Sequence, residues 1–498
     1  MSPSRSLCAM AALLGAAAQA AAPDPAALGA GEAARRLCAG EFTSTRLVEA
    51  TLARIKAHAA LNAFVTLDEA GALAAARAAD AAHRPGAACK PLAGVPVVVK
   101  DNIHVRGLPS TAGTPALKDF VPAEDAPVVA KLRAAGAIVV GKTHMHELAF
   151  GITGYNPAFQ TGPEVGVRNA YDTRRVAGGS SSGTGAALGA RLVAAGLGTD
   201  TGGSVRIPCA FNGCAALRPT VGRYPAEGIA PISHTRDTAG PMAVSMADVA
   251  LLDRVIAGGA AIAPADLKRV RLGVVPAFFA DLDADTRAVT DAALATLRAA
   301  GATLVEVEMP QLMAHNDAVG FPLALYEAHD DMVAYLARHR TGIDLAQLAA
   351  GIASPDVKGT FDGLVIPRKL PAPGGGLADA APAYERAMKV ERPALQALYR
   401  DTFAQHRLDA LVFPTVPRAA PLATPEASSP ENFGAIIRNT DPGSNAGIPG
   451  IQLPAGLGAQ TGLPIGLEFD GPAGSDRALL ALGLAVEAVL GRLPPPAR

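Results

Sequence analysis

Two glycine-rich turns, each carrying a serine, constrain the fold of this chain more than any other feature. Residues 178–208 read GGSSSGTGAALGARLVAAGLGTDTGGSVRIP, which places Ser180 in the first turn and Ser204 in the second. The segment between them predicts a helix over about 183–195 and an extended return over 196–203. A helix of ~12 residues runs ~18 Å, and the return can cover up to ~25 Å. The two serines can therefore meet in space.

Glycine turns of this kind suit acyl transfer. Glycine lets a substrate approach the main chain closely, and successive N–H groups in such turns form an anion-binding nest. A nest beside a serine can hold an oxyanion while the hydroxyl attacks a carbonyl. The alternative is that glycine and serine simply form loops. Two such turns joined by a helical pattern favour the catalytic interpretation.

A serine nucleophile needs a base, and the sequence leaves its identity open. None of the ten histidines lies in a motif that assigns it this role. Lys100 follows the apolar run 97–99, which predicts a buried strand. Burial lowers the pKa of a lysine towards neutrality, and Ser–Lys pairs are known catalytic arrangements. Lys100 is the candidate base, although a salt bridge to Asp101 or a path to solvent would explain it equally well.

Two further motifs are weaker. Residues 179–183 match the G-x-S-x-G pattern of a nucleophile elbow around Ser181, but that elbow needs a preceding strand, and residues 171–175 do not predict one. His144 and His146 form an H-x-H pair with no third imidazole or cysteine nearby, so we predict no metal site there.

Composition excludes several functional classes. The 498-residue chain is 50% hydrophobic, carries a net charge of −1 and contains no tryptophan. It can bury a large core, but it offers neither a basic surface for nucleic acid nor aromatic platforms for single strands. No internal segment is long and apolar enough to predict a membrane anchor. A homodimer is left open.

The N-terminus resembles a secretory signal. A basic residue, Arg5, precedes the apolar segment 7–18, and residues 18–20 read Ala-Gln-Ala, a small-x-small cleavage pattern. Residues 1–20 are therefore predicted to be a signal peptide, which places the mature protein in the periplasm or outside the cell. If this segment is an ordinary alanine-rich helix, the protein is cytoplasmic.

Four cysteines remain after such a signal, and their spacing gives no zinc pattern. In an oxidising compartment, bridges could join Cys38 to Cys89 or Cys209 to Cys214. The sequence alone favours buried free thiols over either bridge.

Most of the chain alternates helical and strand patterns, which predicts one α/β unit around a large mixed sheet. We expect strands over 97–99, 137–141, 270–275, 303–307 and 408–413, and helices over 46–58, 285–300, 382–405 and 476–490. Residues 234–242 are expected to form a loop.

Three motifs together resemble the amidase signature family: GVPVVVKDNI, GGSSSGTGAA and GTDTGGSVRIP. The resemblance extends from the Arg46 helix to residues 462–466. It implies an α/β fold with a large mixed sheet covered by helices on both faces. It also implies a single amidase domain over 21–498, with a signature core over 90–260 and a more variable substrate-pocket region over 310–430.

The resemblance further implies a Ser–cis-Ser–Lys triad that needs no cofactor. Ser204 matches the acyl nucleophile, Ser180 the bridging serine with a cis peptide to Gly179, and Lys100 the base. The oxyanion hole matches the main-chain N–H groups of Thr201, Gly202, Gly203 and Ser204. Within the same motifs, loop-supporting roles are expected for Asn102, Asp200 and Arg206.

The motifs, together with TRDTAGPM at 235–242, look most like those of amidases that cleave indoleacetamide and mandelamide. The expected activity is therefore hydrolysis of an aryl-acetamide-like primary amide, a small-molecule substrate, to acid and ammonia. One alternative is a subunit of a tRNA-dependent amidotransferase, which the secretion signal disfavours. The other is a non-catalytic periplasmic binding protein on the same scaffold, which the intact triad residues disfavour.

Overall fold

An eleven-stranded mixed sheet forms the centre of the computed structural model, which describes residues 28–84, 88–160, 164–372 and 374–496. The predicted signal segment, 1–20, lies outside the described residues. The strand order is β1-β3-β2-β4-β6-β5-β12-β13-β11-β7-β8, and β9 and β10 form a separate hairpin. The strands are β1 Phe64–Leu67, β2 Pro96–Lys100, β3 Ile138–Thr143, β4 Ala195–Asp200, β5 Ala215–Arg218, β6 Thr238–Ala243, β7 Arg271–Val274, β8 Thr303–Glu306, β9 Lys369–Pro371, β10 Leu377–Asp379, β11 Ala410–Pro414, β12 Gly450–Leu457 and β13 Pro464–Asp470.

Helices cover both faces of this sheet, as expected for the α/β fold. They are α1 Ala30–Cys38, α2 Ser44–Ala57, α3 Glu69–Ala82, α4 Pro127–Ala134, α5 Ser182–Gly189, α6 Arg206–Asn212, α7 Met246–Ala257, α8 Ala284–Ala299, α9 Leu312–Arg338, α10 Leu345–Ala350, α11 Pro355–Thr360, α12 Ala380–Arg386, α13 Arg392–His406, α14 Pro430–Ile437, α15 Asp441–Ala446 and α16 Asp476–Leu490. Among the described residues, no helix combines the length and apolar character that a membrane crossing needs.

Strand β2 shows why its sequence is an unbroken apolar run. Val97 and Val99 pack into the core shared with α4, α7 and α16, while Val98 packs into the opposite core with α2, α3 and α5. A strand buried on both faces needs apolar residues at every position. The same strand pairs in parallel with both β3 and β4.

The parallel pairing of β2 and β4 brings the C-terminal ends of both strands together. Val98 and Val99 lie opposite Gly196 and Leu197 of β4, so both strands end at the same edge of the sheet. The last residue of β2, Lys100, is therefore brought to the end of β4. Ligand sites of open α/β sheets lie outside the carboxyl ends of strands.

Two local expectations were wrong. Helix α5 ends at Gly189 rather than near 195, and Arg191 follows with a left-handed φ of 57°. Residues 238–242, expected in a loop, lie in β6 between β4 and β5. This strand has little intrinsic β-propensity, but Gly240 allows close packing, because a Cβ there would lie 2.6 Å from the carbonyl oxygen of Leu217. Tertiary pairing overrides propensity here.

The expectation of free thiols is also wrong, because the structure contains two disulfide bridges. One joins Cys38 at the end of α1 to Cys89. The other joins Cys209 in α6 to Cys214, with the two Cα atoms 4.5 Å apart. Gly213, between them, has a φ of 68° and turns the chain back on itself. Such bridges are typical of proteins from oxidising compartments.

Candidate active site

Lys100 is fully buried at the end of β2, with its Nζ atom between two hydroxyl groups. The Nζ atom lies 2.7 Å from Ser180 Oγ and 2.7 Å from Thr199 Oγ1. Burial lowers its pKa to about 7, although the carboxylates of Asp200 and Asp237 act in the opposite direction. A large fraction of this amine is therefore uncharged near neutral pH and can accept a proton.

Ser180 lies in the first glycine turn, directly before α5, and the Gly179–Ser180 peptide bond is cis. Its carbonyl oxygen accepts a hydrogen bond of 3.1 Å from the main-chain N–H of His146. A Cβ at Gly179 would lie 2.9 Å from the carbonyl carbon of Ile152, so this position has room only for glycine. The turn holds Ser180 against Lys100.

Ser204 lies in the second turn, between β4 and α6, and is 6% exposed. Its carbonyl oxygen accepts a 3.1 Å hydrogen bond from the N–H of Ser181, which joins the two turns through their main chains. The meeting of the two serine turns, expected from segment lengths, is thus what the fold produces. Ser181 itself is buried and hydrogen-bonds the main chain of Thr199.

Asp200 organises the second turn. Its carboxylate accepts the N–H of Gly203 at 2.8 Å and that of Val205 at 3.1 Å. It also pairs with the guanidinium groups of Arg206 and Arg218 at 3.1 and 3.0 Å. Burial alone would raise the pKa of Asp200, but the two arginines hold it well below its usual range. The carboxylate is therefore ionised and fixed.

Of the four N–H groups assigned to the oxyanion hole from the sequence, one is already bound to Asp200. The Gly203 N–H donates to Asp200 and so is occupied. Within the described part of the chain, the N–H groups of Thr201, Gly202 and Ser204 have no acceptor in hydrogen-bond range. Three of the four assigned donors are free to bind an incoming oxygen.

Asn102 and Arg206, assigned loop-supporting roles from the sequence, contact other residues of the site. Asn102 Nδ2 donates to Thr199 Oγ1 at 3.1 Å, the same oxygen that meets Lys100. Arg206 also binds Ser444 Oγ at 2.6 Å and pairs with Glu468 of β13. The network ties the second turn to the far half of the sheet.

Sequence reasoning missed three polar residues of this site: Thr199, Arg218 and Asp237. Asp237 Oδ1 accepts the Thr201 hydroxyl at 2.6 Å, and its Oδ2 accepts two N–H groups of the preceding loop, those of Ile232 and Ser233. Thr199 lies inside the GTDTGG motif, which is a signal for it. Arg218 lies in a segment for which the sequence predicts no element, whereas Asp237 lies inside the TRDTAGPM motif, in a segment expected to be a loop.

The two histidines weighed as metal ligands do not share a site. His144 Nε2 lies 2.7 Å from the Ala158 carbonyl oxygen, whereas His146 Nε2 lies 3.0 Å from Asp356 Oδ2. Among the described residues, one group of three potential metal ligands lies together: His234, Glu327 and Asp331. His234 Nδ1 lies 3.0 Å from Asp331, and His234 Nε2 lies 3.5 Å from Glu327.

A cavity of about 290 Å³ adjoins the second turn, whose Thr201 is part of its lining. Thr199, Asn102, residues 226–232 and the C-terminal part of α9 also line it. This volume is at the lower end of the range for small-molecule sites. A small organic molecule in the cavity would lie beside the Thr199 hydroxyl, which hydrogen-bonds Lys100.

Comparison with known proteins places this geometry in context. The family model described as Amidase matches residues 46–480. The chain is 49% identical to a mandelamide hydrolase of Pseudomonas putida, over 92% of this chain and 90% of that protein. It is 40% identical to an indoleacetamide hydrolase of Agrobacterium vitis, over 91% and 95% of the two chains. A native peptide amidase from Stenotrophomonas maltophilia superposes with a TM-score of 0.79 at 32% identity, covering 95% of this chain and 99% of that one.

Proposed function

The chain belongs to the amidase family and hydrolyses amides, and from this premise we propose that it cleaves aryl-acetamide-like primary amides through a Ser204 acyl-enzyme. The observation that carries the catalytic part is the buried Lys100 amine, 2.7 Å from Ser180 Oγ in a turn bonded to that of Ser204. A neutral, desolvated lysine next to a serine relay is a sufficient general base.

The proposed reaction begins with proton transfer. Neutral Lys100 takes the proton of Ser180 Oγ as Ser180 takes that of Ser204 Oγ, and Ser204 attacks the amide carbonyl. The oxyanion is stabilised by the free N–H groups of the second turn, those of Thr201, Gly202 and Ser204. The Gly203 N–H, bound to Asp200, keeps the turn in shape instead.

Collapse of the tetrahedral intermediate completes the first half of the reaction. The proton returns from Lys100 through Ser180 to the departing nitrogen, and ammonia leaves. Water then attacks the acyl-enzyme, with the same relay accepting its proton. The proton returns through Ser180 to Ser204 Oγ as the ester bond breaks, and the free acid is released. Each step uses groups of this chain and needs neither a cofactor nor a metal.

The substrate class rests on two supports. The relatives at 49% and 40% identity are named for mandelamide and indoleacetamide, both amides with an aromatic group. The cavity beside the site is lined partly by apolar residues, among them Ile229, Ile232 and Tyr335. These supports favour a hydrolase of small amides over an amidotransferase subunit or a non-catalytic binder.

A panel of amides tests the proposed substrate class. We expect ammonia release from phenylacetamide, indoleacetamide and mandelamide with kcat/KM at least about tenfold above that for short aliphatic and peptide amides, because a buried ring gains ~1.5–3 kcal/mol. A preference for aliphatic or peptide amides would refute the aryl class. No turnover of any amide would favour the binding protein, and co-purification of a partner chain would revive the amidotransferase.

We further propose that the protein is exported. The N-terminal pattern of residues 1–20 and the bridges Cys38–Cys89 and Cys209–Cys214 support an oxidising compartment. In a Gram-negative host, periplasmic protein is expected to begin near residue 21 and, when denatured without reductant, to show no free thiol. Ala20→Arg should block processing. Full-length protein with reduced thiols in the cytoplasm would contradict export.

A further inference from the structure

We propose that the rings of Tyr335 and His339, at the C-terminal end of α9, form the part of the cavity that receives the aryl group and so select aryl over aliphatic acyl chains. This inference rests on the proposed function, since it concerns the substrate of the same site. It assigns specificity to two residues that lie more than 130 positions after Ser204 in the sequence.

The lining of the cavity combines residues next to the catalytic candidates with residues of α9. Thr199 and Thr201 hydrogen-bond Lys100 and Asp237 respectively. The α9 part of the lining is one face of that helix together with the residue that caps it, because residues at helical spacing share a face. The positions from α9 and its cap that line the cavity are Asp331, Ala334, Tyr335, Arg338 and His339.

Tyr335 and His339 belong to a cluster of four rings. Their ring centroids lie 4.8 Å apart, and His104 lies 5.7 Å from Tyr335 and 4.6 Å from His339. Phe120 contacts His104 edge to face with centroids 5.4 Å apart. Such separations and angles are those at which aromatic groups attract one another. A substrate ring entering the cavity would extend this cluster by one member.

Hydrogen bonds of Tyr335 and His104 hold the ring cluster in place. Tyr335 OH lies 2.8 Å from His104 Nε2, so the phenol group is satisfied and buried. The main-chain N–H of His104 donates to the Gly228 carbonyl oxygen at 2.8 Å, which links the cluster to the 226–232 segment of the cavity lining. Tyr335 therefore offers the cavity a ring rather than a free hydroxyl.

The imidazole rings of the cluster carry no charge, although Glu227, Asp237 and Asp331 also line the cavity. Burial lowers the pKa of His104 to about 3 and also lowers that of His339, so both imidazoles are uncharged at neutral pH. His234, at the rim, is paired with Asp331 at 3.0 Å. Arg338 lines the cavity from an exposed position, where solvent screens it.

The volume fits this occupant. A dry cavity of about 150 Å³ lined by apolar side chains binds benzene. The 290 Å³ available here is enough for a phenyl ring together with the arm that carries the amide. An unbranched alkyl chain of equal length would fit but would form no aromatic pair with Tyr335 or His339.

The test compares phenylacetamide with hexanamide in His339→Ala and His339→Phe. His339 is half-buried, so its replacement should not unfold the protein. We expect His339→Ala to lower kcat/KM for phenylacetamide about tenfold, mainly through KM, and to change hexanamide less than about twofold. His339→Phe should restore the aryl preference. Val333→Ala, on an exposed part of α9 away from the cavity, is the matched control.

The outcomes separate this inference from the proposed function. Equal losses on both amides, or no loss on either, would overturn the role of the ring cluster while leaving an aryl-amide hydrolase in place. Failure of the wild-type protein to cleave any aryl amide would overturn the substrate class and this inference with it. A selective loss that phenylalanine restores supports both.

Discussion

Replacing Ser204 with alanine is expected to lower kcat for phenylacetamide by about 10⁶-fold, the scale of the loss when the serine of a catalytic triad is removed. Without this hydroxyl no acyl-enzyme forms, and what remains is stabilisation by the N–H groups of the second turn. Ammonia release measures the loss. Mass spectrometry of quenched wild-type reactions should detect the acyl adduct on the peptide containing Ser204, and none in the variant.

The first glycine turn offers a matched control in Ser182→Ala. Ser182 begins α5, two residues after Ser180. Its hydroxyl donates a long hydrogen bond of 3.4 Å to the Ser180 carbonyl oxygen. We expect this variant to keep most of the activity and the wild-type circular dichroism. Turnover of Ser204→Ala above one per cent of wild type would mean that another group attacks the amide.

Replacing Lys100 with methionine should cost about 10³- to 10⁴-fold in kcat/KM, since general-base catalysis contributes on this scale. Methionine keeps the volume of the buried side chain but cannot accept a proton or bind Ser180 Oγ. The wild-type pH profile carries the signature of this base. Because the proposed mechanism needs the neutral amine, and burial lowers the pKa of Lys100 to about 7, log kcat/KM should rise with slope one below that pH and level off above it.

In Lys100→Met, that acidic limb should disappear from the residual activity. Lys56→Met is the control, because Lys56 is an exposed lysine paired with Glu69 on the surface, and its profile should match wild type. Near-normal kinetics in Lys100→Met, or a limb that persists unchanged, would assign the base to a histidine.

The site was predictable where one short segment holds both the residue and its context. The run before Lys100 indicates a strand buried on both faces, and the structure has such a strand ending at that residue. The glycines around Ser180 and Ser204 indicate turns, and the length of chain between them is sufficient for them to meet. The alternating pattern of helices and strands likewise indicates the α/β class that the structure has.

Features that depend on distant pairing were not predictable from local patterns. Strand β6 exists because β4 and β5 flank it, and the partners of Asp200 include Arg218, which lies 18 residues away and outside the quoted motifs. The bridge between Cys38 and Cys89 spans 51 residues. Tyr335 and His339 become lining residues of the cavity only because the fold packs α9 beside it.

The position of α9 has a consequence for how amidases of this shape diversify. The side chains that contact Lys100 and Thr201, those of Ser180, Thr199 and Asp237, come from residues 180–237, whereas another part of the cavity lining comes from 331–339. Mutations that alter which acyl group is accepted can thus accumulate in one helix without disturbing the proton relay. A single ancestral catalytic centre can in this way give rise to enzymes for many different amides.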